Sequence, residues 1–252
     1  MIIEAYGKSD PGCTRTENED RIFFDASLGL FVVCDGMGGA QRGAVAAELA
    51  VAAIQYYIDA TRDRYDVSWP FGYTFEISAD ANRLTTSVRL ANRQVWRRAE
   101  QSLECAGMGA TVAAVLLSDG RIVAANVGDS RVYRSRKGRL EQISIDDTII
   151  ASMLQKGLLS REEAVTHPMR NVVTQAAGSQ ENVEVHLAED TIESGDVILL
   201  CTDGLYSVVP EADIEALLAS GETAEACVAQ LVSAAIDAGG PDNVSVIVLR
   251  YS

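Results

Sequence analysis

Apolar residues along this chain fall into short runs of about five, separated by turn-forming residues, and into a few longer stretches with helical spacing. Residues 22–24 and Leu30–Cys34, joined by 25–29, predict a strand pair. Residues 44–60 are small and apolar on nearly every turn and predict a buried helix. Within 80–104, Leu84, Val88, Ala91 and Val95 recur at steps of four, three and four, the stripe of an amphipathic helix. Residues 111–117 and 121–127, joined by Ser118-Asp119-Gly120, predict a hairpin, and 131–135 continue that sheet. Residues 147–157 and 161–164 predict short helices in a less regular stretch. Val183, Val185 and Leu187 alternate with polar residues as in a half-buried strand, whereas Val197–Cys201 reads as a fully buried one. Pro210 opens a helix over 212–220 that stops at Gly221. Residues 223–238 form another helix, closed by Gly239-Gly240, and 244–249 a final strand. Strands and helices come in blocks with hairpins instead of regular βαβ units. The expected architecture is therefore layered α+β with mostly antiparallel sheets.

Composition narrows the class. A chain of 252 residues with no Pro- or Gly/Ser-rich linker and no repeat is expected to form one domain over 1–252. Its 48% hydrophobic and 23% charged residues exclude disorder and collagen-like structure. The apolar runs are too short to span a bilayer, and the first ten residues carry an acid and no apolar core. Neither a membrane span nor a secretory signal is expected, and the location is read as cytoplasmic. Lys and Arg number 21 against 36 Asp and Glu, a net charge of −15. That disfavours nucleic acid and fits metal cations or basic partners, although charge alone can simply keep a protein dissolved. The five cysteines, at 13, 34, 105, 201 and 227, lack CxxC spacing and read as reduced, mostly buried thiols. With only His167 and His186 present, most histidine-rich zinc centres are excluded. The nucleophile elbow, the P-loop and the H-E-x-x-H helix are absent, and Gln41 breaks the glycine fingerprint begun at Gly36.

One local pattern repeats. An apolar strand runs straight into, or out of, a carboxylate beside glycine or a small turn. Leu30–Cys34 leads to Asp35-Gly36, 123–127 to Gly128-Asp129, and Val197–Cys201 to Thr202-Asp203-Gly204. Pro241-Asp242-Asn243 precedes the last strand, and Arg15 and Glu19-Asp20 precede the first pair. A single Asp-Gly is usually only a turn. Several of them at the rims of buried strands would bring five or six carboxylates together. Such a cluster repels itself unless cations neutralise it. Oxygen donors of this kind, with a backbone carbonyl beside glycine, suit Mg²⁺ or Mn²⁺ better than Zn²⁺.

An ordered set of motifs carries a resemblance over almost the whole chain. It comprises Arg15-Thr16-Glu17-Asn18-Glu19-Asp20, Val33-Cys34-Asp35-Gly36-Met37-Gly38-Gly39, Gly107-Met108-Gly109-Ala110-Thr111 and Asn126-Val127-Gly128-Asp129-Ser130-Arg131. It continues through 167–175, Thr202-Asp203-Gly204-Leu205 and Gly240-Pro241-Asp242-Asn243-Val244-Ser245. The chain resembles bacterial members of the protein phosphatase 2C family, the metal-dependent Ser/Thr protein phosphatases. The resemblance implies an antiparallel β-sandwich flanked by helices on both faces, four layers in the order α-β-β-α. It also implies two Mn²⁺ or Mg²⁺ ions at one edge. Asp35 would bridge them, Glu19 and the Gly36 carbonyl would complete one, and Asp203 and Asp242 the other. Asp20 would stand behind the ligands, holding water, and Asn243 would support Asp242. Asp129 with Asp203 would make a weaker third metal site, and Arg15 would grip phosphoryl oxygens with its planar fork. A water acidified between two cations would attack phosphoserine or phosphothreonine directly, with no phosphoenzyme. The implied partners are phosphorylated proteins of a Ser/Thr kinase circuit, and the implied state is a monomer. The alternative is a catalytically weak, phosphatase-like binding module that regulates a partner.

Departures from the family pattern are specific. Met37 stands where many relatives have histidine, which removes an obvious proton donor. Ser207 replaces an acid that many relatives place four residues after Asp203, which weakens the third site. Asp147 stands where bacterial relatives commonly have histidine. Residues 142–170 match the family's variable flap. Arg15 could instead pair with Glu17 or Glu19. His167, before Pro168, is expected to be structural, and His186, alternating with Val185 and Leu187, is expected to face solvent. The aromatics of 65–75 are expected to cover the elements beneath them.

Overall fold

A computed structural model describes residues 2–39, 42–62, 64, 67–160, 163–164, 167–220 and 223–252. Among these, strands β1 (Ile3–Asp10), β12 (Val244–Tyr251), β11 (Val197–Cys201), β8 (Arg131–Arg136) and β9 (Arg139–Gln142) form one antiparallel sheet in that order. The second sheet runs β10 (His186–Thr191), β7 (Arg121–Val127), β6 (Val112–Ser118), β3 (Leu30–Cys34) and β2 (Arg21–Asp25), again antiparallel. A small ladder pairs β4 (Gly36–Met37) with β5 (Gly109–Ala110).

Strand alternation divides the core into three layers. Phe31, Val33, Val115, Ile198, Leu200, Ile247 and Leu249 face one another between the sheets. Their neighbours Leu30, Val32, Ala114 and Leu116 point outward, under α1 (Arg42–Thr61) and α2 (Ala79–Gln101). On the other sheet, Leu199, Val246 and Val248 point outward, under α4 (Asp203–Tyr206), α5 (Glu211–Ala219) and α6 (Ala224–Asp237). The order is α-β-β-α, as expected. Helix α3 (Ile149–Gln155) lies apart, between β9 and β10 in the chain.

Local chemistry explains the boundaries. Helix α2 starts where the Ser78 hydroxyl accepts from the Ala81 amide at 3.1 Å, and its predicted stripe Leu84, Val88, Ala91 and Val95 is fully buried. The β6–β7 hairpin closes through Asp119 and Gly120, both at positive φ (47° and 74°), the two-residue turn that suits strand twist. Thr148 and Thr223 cap α3 and α6 in the same way as Ser78.

Several expectations need correction. Helix α1 is buried along one face only, with Tyr56 76% exposed on the other, because its small residues cover every turn while only one side meets the sheet. Strand β10 starts at His186, so Val183 and Val185 precede it, and β8 does not continue the sheet of the β6–β7 hairpin: after the Gly128-Asp129 turn the chain crosses to the other sheet, where β8 pairs with β11 and β9. Strand β1 lacks a clear sequence signal: it is an edge strand whose alternating burial rests on Ile3 and Ala5. Of the helix expected over 161–164, residues 161 and 162 lie outside the described residues, as do Tyr65 and Gly221. In the aromatic segment, Phe71 lies under the Arg93 guanidinium of α2 at 5.0 Å, while Phe75 is 87% exposed. All five cysteines are free thiols; Cys13 is exposed and the other four are buried.

Candidate active site

Strand polarity brings the carboxylates together. The C-terminal ends of β3, β7 and β11 and the N-terminal ends of β2 and β12 lie at one edge of the sandwich, as the antiparallel registers require. There they line a cleft of about 830 Å³ with Arg15, Glu19, Asp35, Gly36, Asp129, Asp203, Asp242 and Asn243 on its wall. Every residue expected at the site is present except Asp20, which is 2% exposed and sits behind the wall.

The backbone around Asp35 is clamped from two sides. Thr111 accepts from the Asp35 amide through Oγ1 at 2.9 Å and donates its own amide to the Asp35 carbonyl at 2.8 Å. Its hydroxyl is held in turn by Ser130 Oγ at 2.6 Å. Beyond Asp35, the chain passes α1 at backbone distance: a Cβ on Gly36 would stand 2.0 Å from the Gly43 carbonyl oxygen, and one on Gly43 2.3 Å from that of Gly36. Glu19 Oε1 accepts from the Gly43 amide at 3.1 Å, so the same crossing orients that carboxylate. Thr111 stood in a quoted motif without a role, and Gly43 lay in none. The signal for Gly43, a glycine in the first turn of a helix, is one that only packing explains.

Asn243 does more than support its neighbour. Its Oδ1 accepts from the Glu19 amide at 2.9 Å, and its Nδ2 donates to the Pro11 and Glu17 carbonyls at 3.0 and 2.9 Å. It thereby fastens the Arg15–Asp20 loop to the turn that carries Asp242. Asp20 Oδ2 accepts from the Thr202 hydroxyl at 2.9 Å, and that hydroxyl accepts from the Ser245 amide at 3.0 Å.

Burial and mutual repulsion dominate the electrostatics. Burial, then the charges of Asp129 and Asp242, raises Asp203 to about 7. Burial raises Asp20 to about 6, and burial with Asp146 nearby raises Asp129 to about 6. Asp35 is held well above the usual carboxylate range by burial and by Asp20, Asp203, Asp129 and Asp242 around it. The buried oxygens Asp203 Oδ1 and Asp20 Oδ1 have no hydrogen-bond partner. Desolvated, partnerless, mutually repelling oxygens are what a hard cation would satisfy. Among the described residues, no group of three or more acidic, histidine or cysteine side chains is arranged to hold an ion by itself.

Arg15 reaches the cleft mouth and pairs with Asp242, Nη2 to Oδ2 at 2.9 Å, instead of with Glu17 or Glu19. Met37 lines the cleft where a histidine proton donor would otherwise stand. Ser207 is exposed and is not on the cleft wall. The expectation that His186 faces solvent is wrong. Its Nε2 lies 2.7 Å from Asp147 Oδ1 and its side chain is 20% exposed, because residues 145–148 fold across the end of β10.

Similarity to known proteins agrees with this geometry. Residues 14–236 match the family model for protein phosphatase 2C. The serine/threonine protein phosphatase PstP of Mycobacterium tuberculosis is 34% identical over 248 residues, 98% of this chain. The chain spans only 45% of the length of that relative. The serine/threonine phosphatase stp of Listeria innocua is 31% identical over 253 residues, covering 98% of this chain and 96% of its own. A crystal structure of the PstP catalytic domain with two manganese ions superposes with a TM-score of 0.83 at 31% identity, covering 98% of this chain and 97% of its own. On the family match and the fold together, this chain belongs to the protein phosphatase 2C family.

Proposed function

We propose that this chain is a metal-dependent protein serine/threonine phosphatase and that the acid-lined cleft is its active site. One observation carries the reading: buried, mutually repelling carboxylates line a cleft whose mouth holds an arginine, and a partnerless oxygen remains on Asp203 at the wall and on Asp20 behind it. The wall offers oxygen donors and neither histidine nor cysteine, which fits Mn²⁺ or Mg²⁺. Glu19, Asp35 and the Gly36 carbonyl would hold one ion, and Asp35, Asp203 and Asp242 the other. Asp129 with Asp203 would hold a third weakly, since Ser207 adds no charge. Bound cations would offset the negative charge of a phosphoryl group and acidify water between them.

The chain's own residues set the geometry. Arg15, at the cleft mouth beside Asp242, would grip two phosphoryl oxygens with its planar fork. Asp20, fixed by the Thr202 hydroxyl, orients water at the inner wall. Met37 donates no proton, so the departing serine or threonine oxygen takes its proton from water in the cleft.

The same reading extends to partners and place. We read the substrates as serine- or threonine-phosphorylated proteins, as the names of the relatives suggest, and assign them to a Ser/Thr kinase circuit. The cytoplasm suits five free thiols and the lack, among the described residues, of a helix long and apolar enough to cross a membrane. A net charge of −15 favours a monomer through repulsion between copies. The 252 residues act as one catalytic domain, with 142–170 as a flap whose following residues Asn171 and Val173 reach the cleft wall. The test is hydrolysis of an aryl phosphate and of phosphoserine and phosphothreonine peptides. Turnover that chelation removes and Mn²⁺ restores is expected; phosphopeptide binding without turnover would leave a regulatory binding module instead.

A further inference from the structure

Asp147, the departure that the sequence left without a consequence, makes five hydrogen bonds. Its Oδ2 accepts from the Gly128 amide at 2.9 Å and from Gln175 Nε2 at 2.7 Å. Its Oδ1 accepts from His186 Nε2 at 2.7 Å, since an ionised carboxylate can only accept. Its own amide donates to the Gly128 carbonyl at 2.9 Å, and its carbonyl accepts from the Thr174 amide at 2.7 Å. The side chain is 11% exposed.

The contacts to Gly128 and Thr174 each end next to a residue of the cleft wall. Gly128 precedes Asp129, and both its amide and its carbonyl are held by Asp147. Thr174 follows Val173, which lines the cleft with Asn171, and Thr148 and Val173 form an isolated bridge one residue further along each stem. His186 anchors the assembly to the sheet: it opens β10 directly opposite Asn126 of β7. Asn126 itself grips Ile145, two residues before Asp147, accepting from its amide at 3.1 Å and donating to its carbonyl. The acid cluster and the flap stem, far apart in sequence, thus share one fastening point.

We propose that Asp147, seated by His186 and Gln175, is a positioning residue that fixes the Asp129 turn and the 171–174 stem relative to each other, and so sets how a phosphorylated peptide is held in the cleft. The role is geometric. Asparagine at 147 can reproduce it, with Oδ1 toward Gly128 and Gln175 and Nδ2 toward a neutral imidazole. Alanine cannot. The inference rests on the phosphatase reading for its substrate, but the fastening itself does not.

The experiment compares wild type, Asp147→Ala, Asp147→Asn and His186→Ala by hydrogen exchange and by kinetics on a phosphothreonine peptide and an aryl phosphate. Asp147→Ala should speed exchange about tenfold in both 126–131 and 171–175, the loss expected when a charged acceptor is removed. It should raise the peptide KM about tenfold while changing peptide kcat and aryl phosphate turnover less than threefold. Asp147→Asn should restore most of both effects, and His186→Ala should show them in milder form, keeping the test open if Asp147→Ala does not fold. Unchanged exchange in either segment, an Asn variant as impaired as Ala, or a fall in kcat at constant KM would overturn the proposal. If wild type shows no turnover on either substrate, the phosphatase reading fails, and the exchange data alone decide the fate of the fastening.

Discussion

Lowering the pH should stabilise the metal-free protein. Asp203 is raised from 3.8 to about 7, and Asp20 and Asp129 from 3.8 to about 6. Near neutrality the folded chain therefore holds protons that the unfolded chain releases. Stability from such groups is full below about pH 4 and is lost as pH rises through about 6 and 7. Between pH 7 and pH 5, a carboxyl held at about 7 regains about 2 kcal/mol and one held at about 6 regains about 1 kcal/mol. Because protonating one acid relieves its neighbours, the three together should return about 2–4 kcal/mol rather than their simple sum. For a chain of this size each kcal/mol moves Tm by roughly 2–4 °C, so the rise should be roughly 4–16 °C. Asp25 and Asp190 are held below their usual range by hydrogen-bond partners and titrate beneath this window. The assay is thermal unfolding of chelator-stripped protein at pH 7, 6 and 5, alongside Mn²⁺-loaded protein. Loaded protein should slope the other way, because cations and protons compete for the same oxygens. Asp203→Asn should remove about half of the metal-free gain. A Tm that stays level or falls from pH 7 to pH 5 without metal would refute the claim that these acids are desolvated and crowded together.

Two further outcomes follow from contacts in the cleft. Gly43→Ala should lower Tm and weaken Mn²⁺ binding, since its Cβ would meet the Gly36 carbonyl at 2.3 Å and move the Asp35 loop, at about 1–3 kcal/mol; Gly39→Ala, whose Cβ meets open space, should cost only about 1 kcal/mol through its positive φ of 64°. Thermal melts and Mn²⁺ titration of both variants check this, and equal behaviour would show that the backbone crossing is not what holds the loop. Arg15→Ala should raise KM for phosphopeptides by about 1.5–3 kcal/mol, with Arg15→Lys recovering only part, and unchanged steady-state kinetics would remove Arg15 from the site.

Much of this was legible in the sequence, and the reasons differ by residue. Helix α2 and the β6–β7 hairpin were plain, because a four-three-four stripe and an Asp-Gly turn each have one good physical solution. The acids were legible because each sits at the rim of an apolar strand, and antiparallel pairing sends those rims to one edge. Edge strand β1 was not: Ile3 and Ala5 make too weak an alternation without the partner β12 in view. Gly43 acts through close backbone approach, and Thr111 through a hydroxyl and an amide that clamp the Asp35 backbone from across the fold, a pairing that local sequence does not reveal. His186 was misread because alternation along a strand says which face a side chain takes but not what folds over that face. Here residues 145–148 do, and they bring Asp147 to it.

We read this cleft as a two-cation site organised by Asp35. The most direct measurement is calorimetric titration of chelator-stripped wild type and Asp35→Asn with Mn²⁺, with circular dichroism confirming that both are folded. Wild type should bind two Mn²⁺ tightly, and Asp35→Asn, whose neutral amide lacks the carboxylate's charge, should lose at least one of them while keeping its fold. Two tight equivalents in the Asp35→Asn variant, or none in wild type, would contradict the account.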